Sequence, residues 1–146
     1  MAASQTNFQL LSDLLLGATS SGLNREQTAP SGTQHSTRIT EAARSLTRSE
    51  FEQLKALAMT NHVIVRAFEL LEPILREEGN LEAAELAALA LGNERQRIDH
   101  AVGFLSQVCA ALESNACPVT VVKSLDHWRD LGSDLDLYTD AEAASV

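Results

Sequence analysis

The sequence predicts an α+β protein, with a mostly helical N-terminal region followed by two strands near the C-terminus. Two observations support this class. Apolar residues recur at three- and four-residue spacing between positions 47 and 112, and short apolar runs flank a polar turn after position 117. With 146 residues, of which 45% are hydrophobic, the chain can form one modest globular fold. We divide it into residues 1–46, 47–116 and 117–146.

Residues 1–46 combine an apolar stretch with a polar one. The stretch from Phe8 to Leu16 predicts a short amphipathic helix that ends at Gly17. From there to about Ala43 the chain is rich in Ser, Thr, Gly, Gln and Asn, which indicates a linker with little fixed structure. The leucine-rich helix either packs on its own domain or docks onto a protein partner.

Helical signals dominate residues 47–116. Thr47-Arg48-Ser49-Glu50 has capping-box spacing and begins a long helix, which Pro73 is expected to kink or divide and Gly79 to end. An alanine-rich helix follows from about Leu81, and Gly92 is expected to separate it from a third helix. The stripes expected to face the core are Leu54, Leu57, Ala58, Val65, Phe68, Leu71 and Leu75 in the first helix, and Ile98, Ala101, Val102, Leu105, Val108, Cys109 and Leu112 in the third.

Residues 117–146 hold two predicted strands, near positions 118–123 and 134–139, joined by a polar turn. Because side chains alternate between the faces of a strand, Asp134 and Asp136 are expected on one exposed face, roughly 6 to 7 Å apart. Leu135 and Leu137 would then point into the core. Two carboxylates on one face can hold Mg²⁺, which takes oxygen ligands and keeps several waters. Competing interpretations are a solvated turn before an edge strand, and the Asp-x-Asp of metal-dependent glycosyltransferases.

The spacing of this turn resembles the signature of the polymerase-beta-like nucleotidyltransferase superfamily, which includes poorly characterised bacterial members. That family places a Gly-Ser or Gly-Gly turn about nine to thirteen residues before Asp-x-Asp or Asp-x-Glu. Here nine residues separate Ser124 from Asp134, the first acid of Asp134-Leu135-Asp136, and Lys123 stands where the family usually has glycine. The resemblance implies that Asp134 and Asp136 are the catalytic metal ligands, and that Lys123, Ser124 and Ser133 contact the nucleotide.

The activity implied by the resemblance is magnesium-dependent transfer of a nucleotidyl group from a nucleoside triphosphate to a small-molecule or protein hydroxyl. The family's third carboxylate comes from a later strand, whereas ten residues follow Asp136. We therefore expect the front part of such a core, a fragment or a degenerate copy, which binds magnesium weakly without appreciable transfer. The alternative is an acidic helical interaction module without catalysis, which could bind a protein partner through Phe8 to Leu16.

Charge and composition restrict the expected partners and location. The chain has 11 Lys and Arg against 20 Asp and Glu, a net charge of −9, which disfavours a nucleic acid partner. No apolar run approaches the roughly 20 residues that a membrane-spanning helix needs. The N-terminus lacks the features of a signal peptide, so the cytoplasm is the expected location. Cys109 and Cys117 lack metal-ligand spacing and are interpreted as reduced structural thiols.

The turn between the strands contains further polar and aromatic residues. Arg129 and Asp130 are interpreted as solvated charges or as part of a structural salt bridge. Trp128, the one tryptophan of the chain, would either cover the edge of the core or stack on a nucleotide base.

Overall fold

A computed structural model describes residues 2–20, 31–122, 128–132, 134 and 136–139, with the side chains of residues 2–6, 17–20 and 31–35 left out. Over these ranges the chain forms five helices and two short strands: α1 (Ala2–Ser20), α2 (Ser31–Ser45), α3 (Arg48–Thr60), α4 (Ile64–Glu77), α5 (Leu81–Ser114), β1 (Thr120–Val122) and β2 (Asp136–Tyr138). A mostly helical α+β fold is therefore confirmed at this coarse level. The chain divides into two compact units, Met1–Gly92 and Asn93–Val146.

The core of the first unit is built mainly from α1, α3 and α4. Helix α1 packs against α2, α3 and α4, and α4 also packs against α2 and α3. The predicted stripe is confirmed, since all its members are buried except Leu57, which is half-buried. The larger buried side chains of this core are Leu10, Leu11, Leu14, Phe51, Leu54, Ile64, Val65, Phe68, Leu71 and Leu75.

Helix α1 places its leucine face inside this unit. Leu10, Leu11 and Leu14 are buried, while Phe8 and Leu16 are 62% and 66% exposed. The expected end at Gly17 is wrong, because the helix continues to Ser20. Docking of a protein partner through Phe8 to Leu16 stays a prediction, and the two exposed side chains are those through which it would act.

Helix α2 lies where the sequence indicated a linker. Residues 31–45 are helical, and Ala43 and the following Leu46 are buried where α2 packs against α1 and α4. The polar side chains that suggested a linker bond within the helix instead: the Thr40 hydroxyl donates to the carbonyl of Thr37 at 2.9 Å, and the Ser45 hydroxyl to that of Glu41 at 3.1 Å. Tertiary packing has overridden composition here. Residues 21–30 lie outside the described part of the chain.

The predicted capping box begins α3. The Glu50 amide donates to Thr47 Oγ1 at 3.3 Å, and the Thr47 amide donates to Glu50 Oε2 at 3.0 Å. These bonds to Thr47 stabilise the ionised carboxylate and lower the pKa of Glu50. The capping box is therefore confirmed in both of its hydrogen bonds.

The long helix predicted to follow is divided, but not at Pro73. Pro73 lies inside α4, which runs to Glu77, and the break falls instead at residues 61–63. There His62 takes a left-handed conformation (φ 51), its amide donates to the carbonyl of Met59, and the amide of Val63 donates to that of Ala58. This bonding pattern is a Schellman motif, which ends a helix and is usually formed by glycine.

Helix α5 is continuous, so the break expected at Gly92 is wrong. The helix runs from Leu81 to Ser114. Gly92 is exposed, and apart from Asn93 its neighbours Ala90, Leu91, Glu94 and Arg95 favour helix strongly enough for the helix to continue through one glycine. Glu94, in the segment after Gly92 where a new helix was expected to start, forms an ion pair with Arg97 one turn later within α5.

Two glycines of the first unit are expected to respond oppositely to alanine. At Gly92 a Cβ atom would meet nothing within 4 Å, so Gly92→Ala should raise the free energy of unfolding by about 1 kcal/mol. Gly79 has φ +78 in the Schellman motif that ends α4, so Gly79→Ala should lower it by about 1 to 2 kcal/mol. Urea unfolding followed by circular dichroism measures both, and shifts of the same sign would contradict the two assignments.

The second unit contains the rest of α5 and a two-stranded hairpin. Ile98 and Leu105 of the predicted stripe are buried, its other members are half-buried, and Cys117 and Leu131 are buried beyond the helix. The predicted strands are confirmed as β1 and β2, within shorter bounds and in antiparallel order. Within the described residues, no helix combines the length and apolar content that crossing a membrane requires.

Candidate functional site

The antiparallel register of the hairpin places the predicted acids. Val122, the last residue of β1, lies opposite Asp136, the first residue of β2, and Thr120 lies opposite Tyr138 at the other end. Asp134 precedes β2 by two residues and follows residues 128–132, which begin with a turn and bend at 128–130 and which we call the bend. Both acids are exposed. The acids therefore lie at the end of the hairpin where the chain returns from the polar turn.

The other predicted site residues are not placed by this structure. Lys123, Ser124 and Ser133, the expected nucleotide contacts, lie outside the described residues, as does Leu135. Leu137 is 37% exposed, and every residue of β2 is exposed, so its expected orientation into the core is wrong. The physical reason is that the sheet formed by the described residues has two strands of three residues each, too little to bury a face.

The donor chemistry of the acid pair fits magnesium. Carboxylate oxygens are hard ligands, and Mg²⁺ is usually held by one or two carboxylates while waters and substrate phosphates complete its octahedral shell. Across the described ranges, no group of three or more His, Cys, Asp or Glu side chains is arranged to hold a metal ion. The ligand chemistry of Asp134 and Asp136 is therefore the kind that an open magnesium site, completed by a phosphate-bearing substrate, would require.

A second cluster, centred on Arg97 of α5, holds the bend that leads to the acids. The Arg97 guanidinium donates to Glu94 through Nε at 3.0 Å and Nη2 at 2.7 Å. The same group reaches the main chain of the bend, with Nη2 2.5 Å from the carbonyl oxygen of Leu131 and Nη1 3.4 Å from that of Gly132. One side chain on the helix therefore joins an acid of its own turn to two carbonyls of the bend.

The electrostatics of this cluster keep Arg97 charged. The hydrogen bonds that Arg97 donates to Glu94 raise the pKa of Arg97 most; partial burial lowers it, and the negative charges of Glu94 and Asp130 raise it further. Asp130 itself is only 1% exposed, which corrects the interpretation of it as a solvated charge and agrees with the structural one. Buried next to an arginine that stays protonated, this carboxylate has a cation to offset its charge.

Sequence reasoning missed Arg97 as a site residue. The residues just before it, Asn93 to Gln96, suggested a helix start, and its contacts with the bend join residues 34 and 35 positions apart. The one local signal was the three-residue spacing of Glu94 and Arg97, which predicts an ion pair on a helix but not what else the arginine holds.

Two further residues complete the description of the hairpin. Trp128 is 59% exposed, so the interpretation that it covers the edge of the core is wrong and its ring faces solvent. At the open end of the hairpin, Sγ of the buried Cys117 lies 3.2 Å from the hydroxyl of Thr139, which links the residues flanking the two strands. Cys117 and the half-buried Cys109 are free thiols.

The fold and site define this chain as a mostly helical α+β protein with an acid-bearing antiparallel hairpin. Comparisons with protein-family models, curated proteins and solved structures found no significant match.

Proposed function

We propose that the hairpin binds a magnesium–nucleoside triphosphate complex, as the phosphate-binding edge of a nucleotidyltransferase-like core. The register of the hairpin is the observation that supports this most. It brings Asp136 beside the end of β1 and leaves Asp134 and Asp136 exposed together at one end of the sheet. In the superfamily that the sequence resembles, the metal-binding acids occupy this position relative to the first two strands.

Each described residue has a specific part in this proposal. The carboxylates of Asp134 and Asp136 would hold Mg²⁺, which when bound would supply positive charge to offset that of the phosphates. The exposed ring of Trp128 offers a face on which a base can stack. Lys123, Ser124 and Ser133 contact the phosphates by the resemblance alone. The reaction is attack by an acceptor hydroxyl on the α-phosphate, with pyrophosphate leaving.

The net charge of the chain limits which class of acceptor substrate is expected. With a net charge of −9, the protein repels a polynucleotide, whose binding depends on basic residues that displace counterions from its phosphates. A small molecule or a protein is therefore the favoured acceptor.

Calorimetry with Mg²⁺ and a nonhydrolysable nucleotide tests the metal site. We expect weak, saturable binding to the wild type and a loss of affinity of about tenfold or more in the Asp134→Asn, Asp136→Asn variant, since loss of even an outer-shell partner costs about 10- to 100-fold. Asp99→Asn with Glu113→Gln removes the same charge from exposed positions on α5 and should leave binding unchanged. Equal binding heats in the wild type and in the Asp134→Asn, Asp136→Asn variant would contradict the proposed metal site.

Pyrophosphate release separates a transferase from a nucleotide-binding protein. We expect binding without appreciable release, because among the described residues no third acid joins Asp134 and Asp136 in a metal-binding group. Magnesium-dependent release that Asp136→Asn abolishes would show that the hairpin supports transfer itself.

A second candidate function is an acidic helical interaction module, favoured by the two exposed apolar side chains of α1, Phe8 and Leu16. Partner binding that survives alanine substitution of Ser133, Asp134 and Asp136 but is lost in Phe8→Ala with Leu16→Ala would support the module. Partner binding that is lost in the Ser133, Asp134 and Asp136 variant but survives Phe8→Ala with Leu16→Ala would support the hairpin as the functional site.

A further inference from the structure

We infer that Arg97 is the positioning residue of the acid pair, acting through the main chain of Leu131 and Gly132 rather than on substrate. The inference rests on the proposed magnesium–nucleotide function of the same hairpin. It adds a residue on α5 that neither the signature spacing nor the hairpin register includes.

Chain geometry explains why the bend determines where Asp134 lies. A fully extended chain advances at most about 3.3 to 3.6 Å per residue, so Asp134 lies within about 7 Å of the Gly132 Cα atom. On the other side, Asp136 is fixed by its pairing with Val122. Asp134 therefore lies between two residues that are held in place: Gly132, bonded to the Arg97 guanidinium, and Asp136, paired in the sheet.

The Arg97 contacts exceed those of an ordinary surface ion pair. An exposed helical pair three residues apart contributes little, and the bidentate bond to Glu94 would alone be such a pair. Here the same guanidinium also donates to two main-chain carbonyls of the bend, and the charge of the almost fully buried Asp130 carboxylate favours its protonated form. A planar fork with five donors can do this at once, whereas an ammonium group cannot reproduce the geometry.

A small displacement of a metal-binding carboxylate has large effects on a weak site. Outer-shell partners that orient ligands typically account for about 10- to 100-fold in metal affinity. Arg97 orients Asp134 through two peptide units rather than by direct contact, so we place its contribution at about tenfold.

The experiment uses the full chain, with nitrogen-15 spectra recorded before and after addition of Mg²⁺ and a nonhydrolysable nucleotide. In Arg97→Gln, we expect the amide signals of Leu131, Gly132 and Asp134 to shift before any metal is added, and the affinity to fall about tenfold. Arg97→Lys keeps the charge but not the fork, and should show the same changes in reduced form. Arg95→Gln removes one positive charge two residues earlier on α5 and should change neither the signals nor the affinity.

Different outcomes separate this inference from the proposed function. Wild-type signals and affinity in Arg97→Gln, or full rescue by Arg97→Lys, would overturn the positioning role while leaving the metal site intact. A wild type that binds no magnesium would remove the proposed function, and the metal-free signals of the bend would still decide whether Arg97 sets its conformation. If Arg97→Gln fails to fold, Glu94→Gln tests the same contacts by releasing the guanidinium, and unchanged signals in that variant would overturn the inference.

Discussion

Phe68→Ala is expected to lower the free energy of unfolding of the first unit by about 3 to 5 kcal/mol. Phe68 is fully buried on α4, and its ring packs against that of Phe51 on α3, with centroids 5.5 Å apart and planes tilted by 33°. The substitution removes apolar area from the core, leaves a cavity among helices that can only partly relax, and deletes the aromatic contact that links α3 to α4. Urea unfolding followed by helical circular dichroism measures the loss.

Phe8→Ala is the matched control, because it makes the same chemical change in the same unit at a side chain that is 62% exposed. We expect its effect to stay within about 0.5 kcal/mol. A loss below about 1 kcal/mol for Phe68→Ala, or similar losses for the two variants, would contradict the assignment of Phe68 to the core.

Structural features that depend only on residues close together in the sequence were predictable. The capping box needs only Thr47 and Glu50 three residues apart, and both of its bonds form. The stripe through Leu54, Phe68 and Leu71 is buried because apolar residues at helical spacing lie on one face of the helix, and packing that face against the core removes it from water. The two strands followed from short apolar runs on either side of turn residues.

Features that depend on tertiary packing or on unusual backbone conformations were not predictable. Helix α2 is polar in composition, and burial of Ala43 against other helices, which no local pattern states, accompanies its formation. The break before α4 depends on a left-handed His62, although sequence rules assign that position to glycine and assign breaks to proline. The helix break predicted at Gly92 was wrong because a single glycine costs only about 1 kcal/mol within a long helix.

For the candidate site, the two acids could be identified from the sequence, but the contacts of Arg97 next to them could not. Strand alternation predicted an exposed face for Asp134 and Asp136, and both side chains are exposed. The contact of Arg97 with Leu131 spans 34 residues, and helical spacing gives no information about such a partner. Leu137 was misassigned because strand alternation states which side chains share a face but not whether anything covers it.

Asn80→Ala is expected to lower the free energy of unfolding by about 2 to 4 kcal/mol, because one side chain forms hydrogen bonds at two helix ends. Its Oδ1 accepts from the amide of Ala83 at 3.3 Å, which caps the N-terminus of α5. Its Nδ2 donates to the carbonyls of Ala43 and Leu46, each at 2.9 Å, at the C-terminal end of α2. Loss of the cap costs about 0.5 to 2 kcal/mol, and withdrawing a donor from partly buried carbonyls costs about 1 to 3 kcal/mol.

Two comparisons separate the cap from the contact with α2. Asn80→Ser keeps an oxygen that can cap α5 but is too short to reach the carbonyls of α2, so about 1 kcal/mol of the loss should return and the rest should not. Asn93→Ala makes the same change at an exposed position inside α5, where alanine favours helix, and should be neutral or slightly stabilising in urea unfolding. Full recovery in Asn80→Ser would mean that the bonds to Ala43 and Leu46 contribute nothing, and the end of α2 would then be held by its apolar contacts alone.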